Sequence, residues 1–194
     1  MKHRRLFKST IPLMLCAFLL IAAAGCTESE VNRNPILVLE LGGGGSNYEA
    51  RIEIEMYPDK APNTVKNIIY LVEQGFYDGL RVNMALEDTL IEIADGAGLA
   101  TLDETGDVPR YAIRGEFSAN GFEGNDIPFE RGTVAMSRYE KSDYDSAVDG
   151  FFITLGKMPE ADGNFAAFGK VTSGIEAVEE ISRMKTTDAT LHYE

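Results

Sequence analysis

The chain of 194 residues is 44% hydrophobic and 25% charged, the make-up of a globular protein long enough for one domain with a real core. Its formal net charge of −13 excludes nucleic acid and anionic lipid headgroups as surfaces bound through charge. The only two histidines, His3 and His192, lie near opposite ends. No histidine triad or zinc cluster can be built from them, so neither metal nor cofactor is expected.

In chain order, Lys2, Arg4, Arg5 and Lys8 precede an apolar stretch from Ile11 to Ala24 that ends in Ala23-Ala24-Gly25-Cys26. A positive start, a short apolar middle and a small-residue cleavage site predict a secretory leader over 1–25. Pro12 and a span shorter than the ~20 residues needed to cross a bilayer argue against a transmembrane anchor. The Ala-Ala-Gly-Cys ending resembles a bacterial lipobox, which implies that Cys26 becomes the lipid-modified first residue. Cys16 leaves with the leader, so no thiol remains for a disulfide. Residues 26–34 are polar and read as a lipidated tether, followed by a single domain over 35–194. The expected location is extracytoplasmic, anchored by lipid to the cell membrane or an outer membrane.

Within the domain, Ile36–Leu41 is a strand candidate. Ala50–Met56 alternates Ile52, Ile54 and Met56 with Arg51, Glu53 and Glu55, the period of a half-buried strand. The glycines of GGGGSNYE between them suit a hairpin connection. Pro62 fits the first turn of a helix, Val65, Ile68, Ile69, Val72 and Phe76 follow at helical spacing, and Gly75 is a stop. A second helix over Gly174–Ile181 shows Ile175, Val178 and Ile181 on one face. Short apolar runs broken by glycine and aspartate fill the interval. Two helices and many short strands predict a closed or nearly closed antiparallel barrel with helices over its ends. Asp143, Asp145 and Asp149 in SDYDSAVDG lack the spacing of a calcium loop and read as a solvated acidic loop.

Four segments carry a family resemblance: PDKAPNTVKNIIYLVEQGFYDGL from Pro58, then ERGTVAMSR, DGFFITLG and DGNFAAFGKV. In this order and spacing they resemble a cyclophilin-type peptidyl-prolyl isomerase. The resemblance implies a mainly β fold, a cyclophilin-like antiparallel β-barrel capped by two α-helices. The family usually adds a last strand after the second helix, whereas here only Met184–Glu194 remains.

Prolyl isomerisation breaks no covalent bond; its barrier of ~18–20 kcal/mol is amide resonance, and uncatalysed exchange takes tens of seconds or more. A catalyst must hold the proline ring in an apolar pocket and aim a cation or N–H at the prolyl nitrogen as the amide twists. The resemblance implies an arginine for this task, with glutamine and asparagine contacts and a phenylalanine-lined pocket. Carried over by position, Phe152 takes the place of the pocket phenylalanine, Met136 that of a core-side methionine beside it, and Ser137 that of a small residue contacting the substrate. Phe165 replaces the pocket histidine with another ring.

The polar positions depart from the pattern. Asn83 and Met84 stand where the family has histidine and its catalytic arginine. Thr89 replaces a second phenylalanine, Leu90 a methionine, Glu92 a glutamine, Gly150 another glutamine and Arg138 an asparagine. Two arginines could supply the cation: Arg81, through a three-residue shift of the Arg-Val pair, or Arg138. The implied function is isomerisation of X-Pro bonds in exported proteins at a low rate, by a monomer whose partners are proline-containing segments and whose lipid anchor holds it to a membrane. The alternative is a catalytically inactive module of the same fold that grips such segments as a chaperone or adaptor. A purely structural surface lipoprotein would apply if side chains filled the pocket.

Overall fold

The computed structural model describes residues 34–43, 46–95 and 111–184. The expected leader, Cys26, the tether up to residue 33 and the segment after Met184 lie outside the described residues.

Strands β1 (Ile36–Gly43) and β2 (Ser46–Met56) form the predicted hairpin, each longer than its alternating run, with Ile36 opposite Glu55 and Leu41 opposite Ala50. Alternation places Ile52, Ile54 and Met56 in the interior. Helix α1 (Pro62–Glu73) follows, then β3 (Val82–Leu86), β4 (Leu90–Ile93), β5 (Thr133–Met136), β6 (Phe151–Thr154), β7 (Ala167–Ser173) and α2 (Ile175–Ser182). All pairings are antiparallel, and the strand order is β1-β2-β7-β5-β6-β4-β3. The mainly β architecture with two helices is therefore as the sequence predicts. Among the described residues β1 and β3 are edge strands with one partner each, so the sheet is curled rather than closed.

Both helices pack their apolar faces into the interior of the fold. Val65 and Ile68 from α1, and Val178 and Ile181 from α2, join Ile52, Ile54, Ile91, Val134, Phe151, Ile153 and Phe168 in one interior cluster. Each such side chain contributes roughly 1.5–3 kcal/mol by leaving water. On α1 the buried stripe is Thr64, Val65, Ile68 and Leu71. Val72, expected in the core, is exposed, because the stripe advances from position 64 by three or four residues and reaches Leu71 first. Pro62 opens the helix as predicted, with a cap drawn from a distant segment: Glu116 accepts hydrogen bonds from the backbone N–H groups of Asn63 (3.0 Å) and Thr64 (2.9 Å). Helix α2 starts after Gly174 at φ +83°, where a Cβ would stand 2.2 Å from the Arg51 carbonyl oxygen; only glycine lets α2 turn in this close to β2.

A candidate active site on the outer face of the sheet

Strand β6 sends Phe151 and Ile153 inward, so Phe152 faces outward. In register, Phe152 lies opposite Glu92 of β4 and Ala135 of β5; Ala135 lies opposite Ala167 of β7, and Glu92 opposite Met84 of β3. Directly opposed residues share a face. A single row therefore crosses five strands: Met84, Glu92, Phe152, Ala135 and Ala167. The two alanines leave space over the sheet that larger rings occupy.

Those rings come from the segments flanking β5 and β7. Phe165 stands edge-on to Phe152 at 5.5 Å between centroids, and Phe129 stacks beside Phe152 at 6.0 Å. Together with Ala161, and with Leu90, Ile127 and Met158 packed against them, they form a second apolar cluster separate from the interior. Phe129 escaped the sequence reading. Its signal was faint: a lone aromatic after Pro128 in an irregular stretch, placed here because its N–H donates to Asp162 at 2.8 Å.

The polar residues gather at one end of the row. Ser137 continues β5 and donates its N–H to the Gly150 carbonyl at 2.8 Å. Its hydroxyl donates to Glu92 Oε1, while Asn83 Nδ2 donates to Glu92 Oε2 at 3.1 Å. Gly150 sits where a Cβ would approach those of Ala94 at 3.1 Å and Ser137 at 3.3 Å. The sequence-predicted residues Phe152, Phe165, Leu90, Glu92, Ser137 and Gly150 thus come together on this face, with Met84 at the edge of the row, 39% exposed. Met136 lies in the interior cluster instead, paired with Phe151, and backs the site from inside.

The two candidate arginines part company. Arg81 lines a groove of about 510 Å³ with Val38, Glu40, Arg51 and Tyr77, between the two edge strands; none of the three phenylalanines lines it. Arg138 lies beside the aromatic cluster, its guanidinium carbon 4.7 Å from the Phe165 centroid and 5.0 Å from that of Tyr144. Its Nη1 donates to the Lys141 carbonyl at 3.0 Å.

The loop after Arg138 is anchored rather than solvated throughout, which corrects the expectation for its aspartates. Asp143 and Asp145 are exposed, but Asp149 is fully buried and accepts the Tyr139 hydroxyl at 3.0 Å. Tyr77 donates to the Asp149 carbonyl at 2.8 Å. Burial, followed by the charge of Asp149, pushes the Tyr77 phenol well above its ordinary range. Asp145 accepts the Gly115 N–H at 2.9 Å and the Asn120 side chain at 2.7 Å, which holds its carboxyl below the usual value. No cluster of metal-ligating side chains occurs among the described residues.

Comparison with known proteins agrees with the sheet and its motifs. The family model for cyclophilin type peptidyl-prolyl cis-trans isomerase/CLD matches residues 44–193. A peptidyl-prolyl cis-trans isomerase of Arabidopsis thaliana is 34% identical over 138 residues, 70% of this chain and 57% of that protein. Peptidyl-prolyl cis-trans isomerase B of Bacillus subtilis is 34% identical over 132 residues, 68% of this chain and 83% of that protein. Among solved structures, a cyclophilin type peptidyl-prolyl cis-trans isomerase from Cryptosporidium parvum superposes with a TM-score of 0.57 at 15% identity, covering 84% of this chain and 91% of that one. A cyclophilin from Hirschia baltica gives 0.58 at 18% identity, covering 76% and 66%. At these identities the structural likeness concerns the fold, whereas the sequence matches reach further. The chain belongs to the cyclophilin-type peptidyl-prolyl cis-trans isomerase family.

Proposed function

We propose that this protein isomerises X-Pro bonds in exported proteins, slowly, from a lipid anchor at Cys26. The observation that carries the proline reading is the outward Phe152, bracketed by Phe165 and Phe129 on a face where its neighbours across the sheet are alanine and glutamate. The slow rate follows from Met84, which stands in the same row and has no hydrogen to donate toward a twisting amide. Loss of one well-placed donor typically costs on the order of 10²–10³ in rate.

A second reading has specific support. Glu92, directly opposite Phe152, accepts from both Ser137 and Asn83 and puts a carboxylate where an isomerase gains from a donor. A site of this kind favours holding a proline segment over twisting it, as a chaperone or adaptor would.

A protease-coupled proline-peptide assay on the full-length chain in neutral detergent separates the two, with Phe152→Ala and an uncatalysed control beside it. Acceleration that Phe152→Ala removes supports the isomerase. Binding of proline peptides without acceleration supports the binder, and absence of both refutes the proline reading. Mass spectrometry of the cell-derived protein tests the anchor: an acyl-bearing fragment starting at Cys26, lost in Cys26→Ala, is the expected result.

A further inference from the structure

Beside the aromatic cluster, on the Phe165 side, lies a cavity of about 490 Å³ lined by Arg138, Lys141, Tyr144, Glu160, Asn164 and Phe165. Arg138 is its unusual member. The guanidinium is held among three rings, 4.7 Å from Phe165, 5.0 Å from Tyr144 and 5.6 Å from Phe117, the geometry of a cation over aromatic faces. Its Nε is buried without a hydrogen-bond partner, and it makes no ion pair with a described carboxylate.

The combination of stacking with an unpartnered buried Nε sets Arg138 apart in a chain with 31 Asp+Glu against 18 Lys+Arg. Arg51 pairs with Glu40, Arg131 with Glu179, Arg183 with Asp88 and Lys60 with Asp126, whereas Arg138 is held by aromatic rings instead. An arginine that is already ordered by stacking and still lacks an anion is prepared for one from outside. The planar guanidinium fork matches a carboxylate with two parallel hydrogen bonds, and an ordered fork loses little further freedom on binding.

Resting on the proline-segment reading above, we propose that this cavity is a specificity subsite that binds a carboxylate borne by the substrate next to its proline. Phe165 touches both halves: it lies 5.5 Å from Phe152 and 4.7 Å from the guanidinium carbon. These distances bound the separation of the guanidinium from the Phe152 ring at about 10 Å, the reach of up to three extended residues at ~3.3–3.6 Å each. A glutamate or aspartate within three positions of a proline held on Phe152 reaches Arg138. Lys141 adds a second positive charge, and Glu160 a negative one that limits the preference. The substrate class is thus a proline segment with an adjacent acidic residue. Arg138 acts in recognition, not as the cation at the prolyl nitrogen.

The test uses the full-length chain in neutral detergent and fluorescent pentapeptides with a central proline, acetylated and amidated, carrying Glu, Gln or Lys at a neighbouring position. A Gln peptide with a free C-terminus distinguishes a terminal carboxylate from a side-chain one. The Glu peptide is expected to bind roughly tenfold more tightly than the Gln peptide at low salt, and the Lys peptide more weakly than either. The Glu-to-Gln ratio should fall to about one in Arg138→Met, survive in part in Arg138→Lys, and rise in Glu160→Gln. A ratio near one in the unaltered protein, with proline binding that Phe152→Ala removes, overturns the subsite and leaves the proline reading intact. An Arg138→Met variant that keeps the full ratio also overturns it. If no proline peptide binds at all, both fall together.

Discussion

Glu116, only 1% exposed, receives two hydrogen bonds from Thr64, one from its backbone N–H at 2.9 Å and one from its hydroxyl at 2.8 Å. The pair ties the segment before the outer-face site to the first turn of α1, 52 residues earlier. A negative charge at a helix N-terminus is doubly favoured, by the orphan N–H groups it satisfies and by the helix dipole.

Glu116→Ala should therefore unfold the domain more easily. It leaves the buried donors of Thr64 without an acceptor, at a cost of about 3 kcal/mol. Urea unfolding followed by circular dichroism measures the change; Glu116→Gln, which keeps one acceptor oxygen, should lose less.

Gly174→Ala should be comparably harmful for a different reason. A Cβ there would lie 2.2 Å from a backbone oxygen and 3.0 Å from the Ile52 Cα, on a residue already at φ +83°. Neither backbone atom can rotate away, so α2 must shift, at about 3 kcal/mol. A thermal melt should show a fall of roughly 5–10 °C.

If the proposed slow isomerase is right, supplying a donor at position 84 should raise the rate. Met84 is partly exposed on an edge strand, so Met84→Arg disturbs no core. Glu92 lies opposite it and would capture the new guanidinium. The double variant Met84→Arg/Glu92→Gln should then raise kcat/KM by on the order of 10², and Met84→Arg alone by less. An unchanged rate in the double variant would show that Met84 does not occupy the donor's place.

Alkaline titration should expose Tyr77. Its phenol is raised well above the ordinary 10.0 by burial and by Asp149. The folded state thus keeps the proton after the unfolded chain has released it. Stability from this group is whole below pH 10.0 and is lost as pH rises through the raised folded value. Unfolding followed at increasing pH should show this loss together with late tyrosinate absorbance. Tyr77→Phe should flatten the pH dependence while losing the hydrogen bond to the Asp149 carbonyl.

Much of the scaffold was legible along the chain because its causes are local. Alternation at Ile52, Ile54 and Met56 marks β2, Pro62 marks the start of α1, and Ile175, Val178 and Ile181 mark α2, since each pattern repeats within a few residues. Phe152 and Met84 could be singled out along the chain as residue types. Their shared row could not, because it depends on registers between β6 and β4 and between β4 and β3 that no single segment encodes. The same distinction separates Val72 from Leu71 on α1 and places Met136 behind the site while Ala135 lies in front of it. Phe129, the cap from Glu116, the burial of Asp149 and the stacking of Arg138 arise where irregular segments meet across the fold. There long-range packing and the satisfaction of buried polar groups determine position, and neither leaves a periodic trace in sequence. Sequence by itself determined the elements whose patterns repeat locally; the tertiary structure decided which side chains stand together on the outer face, because side-chain neighbours across a sheet are set by register and curl, not by the order of residues in the chain.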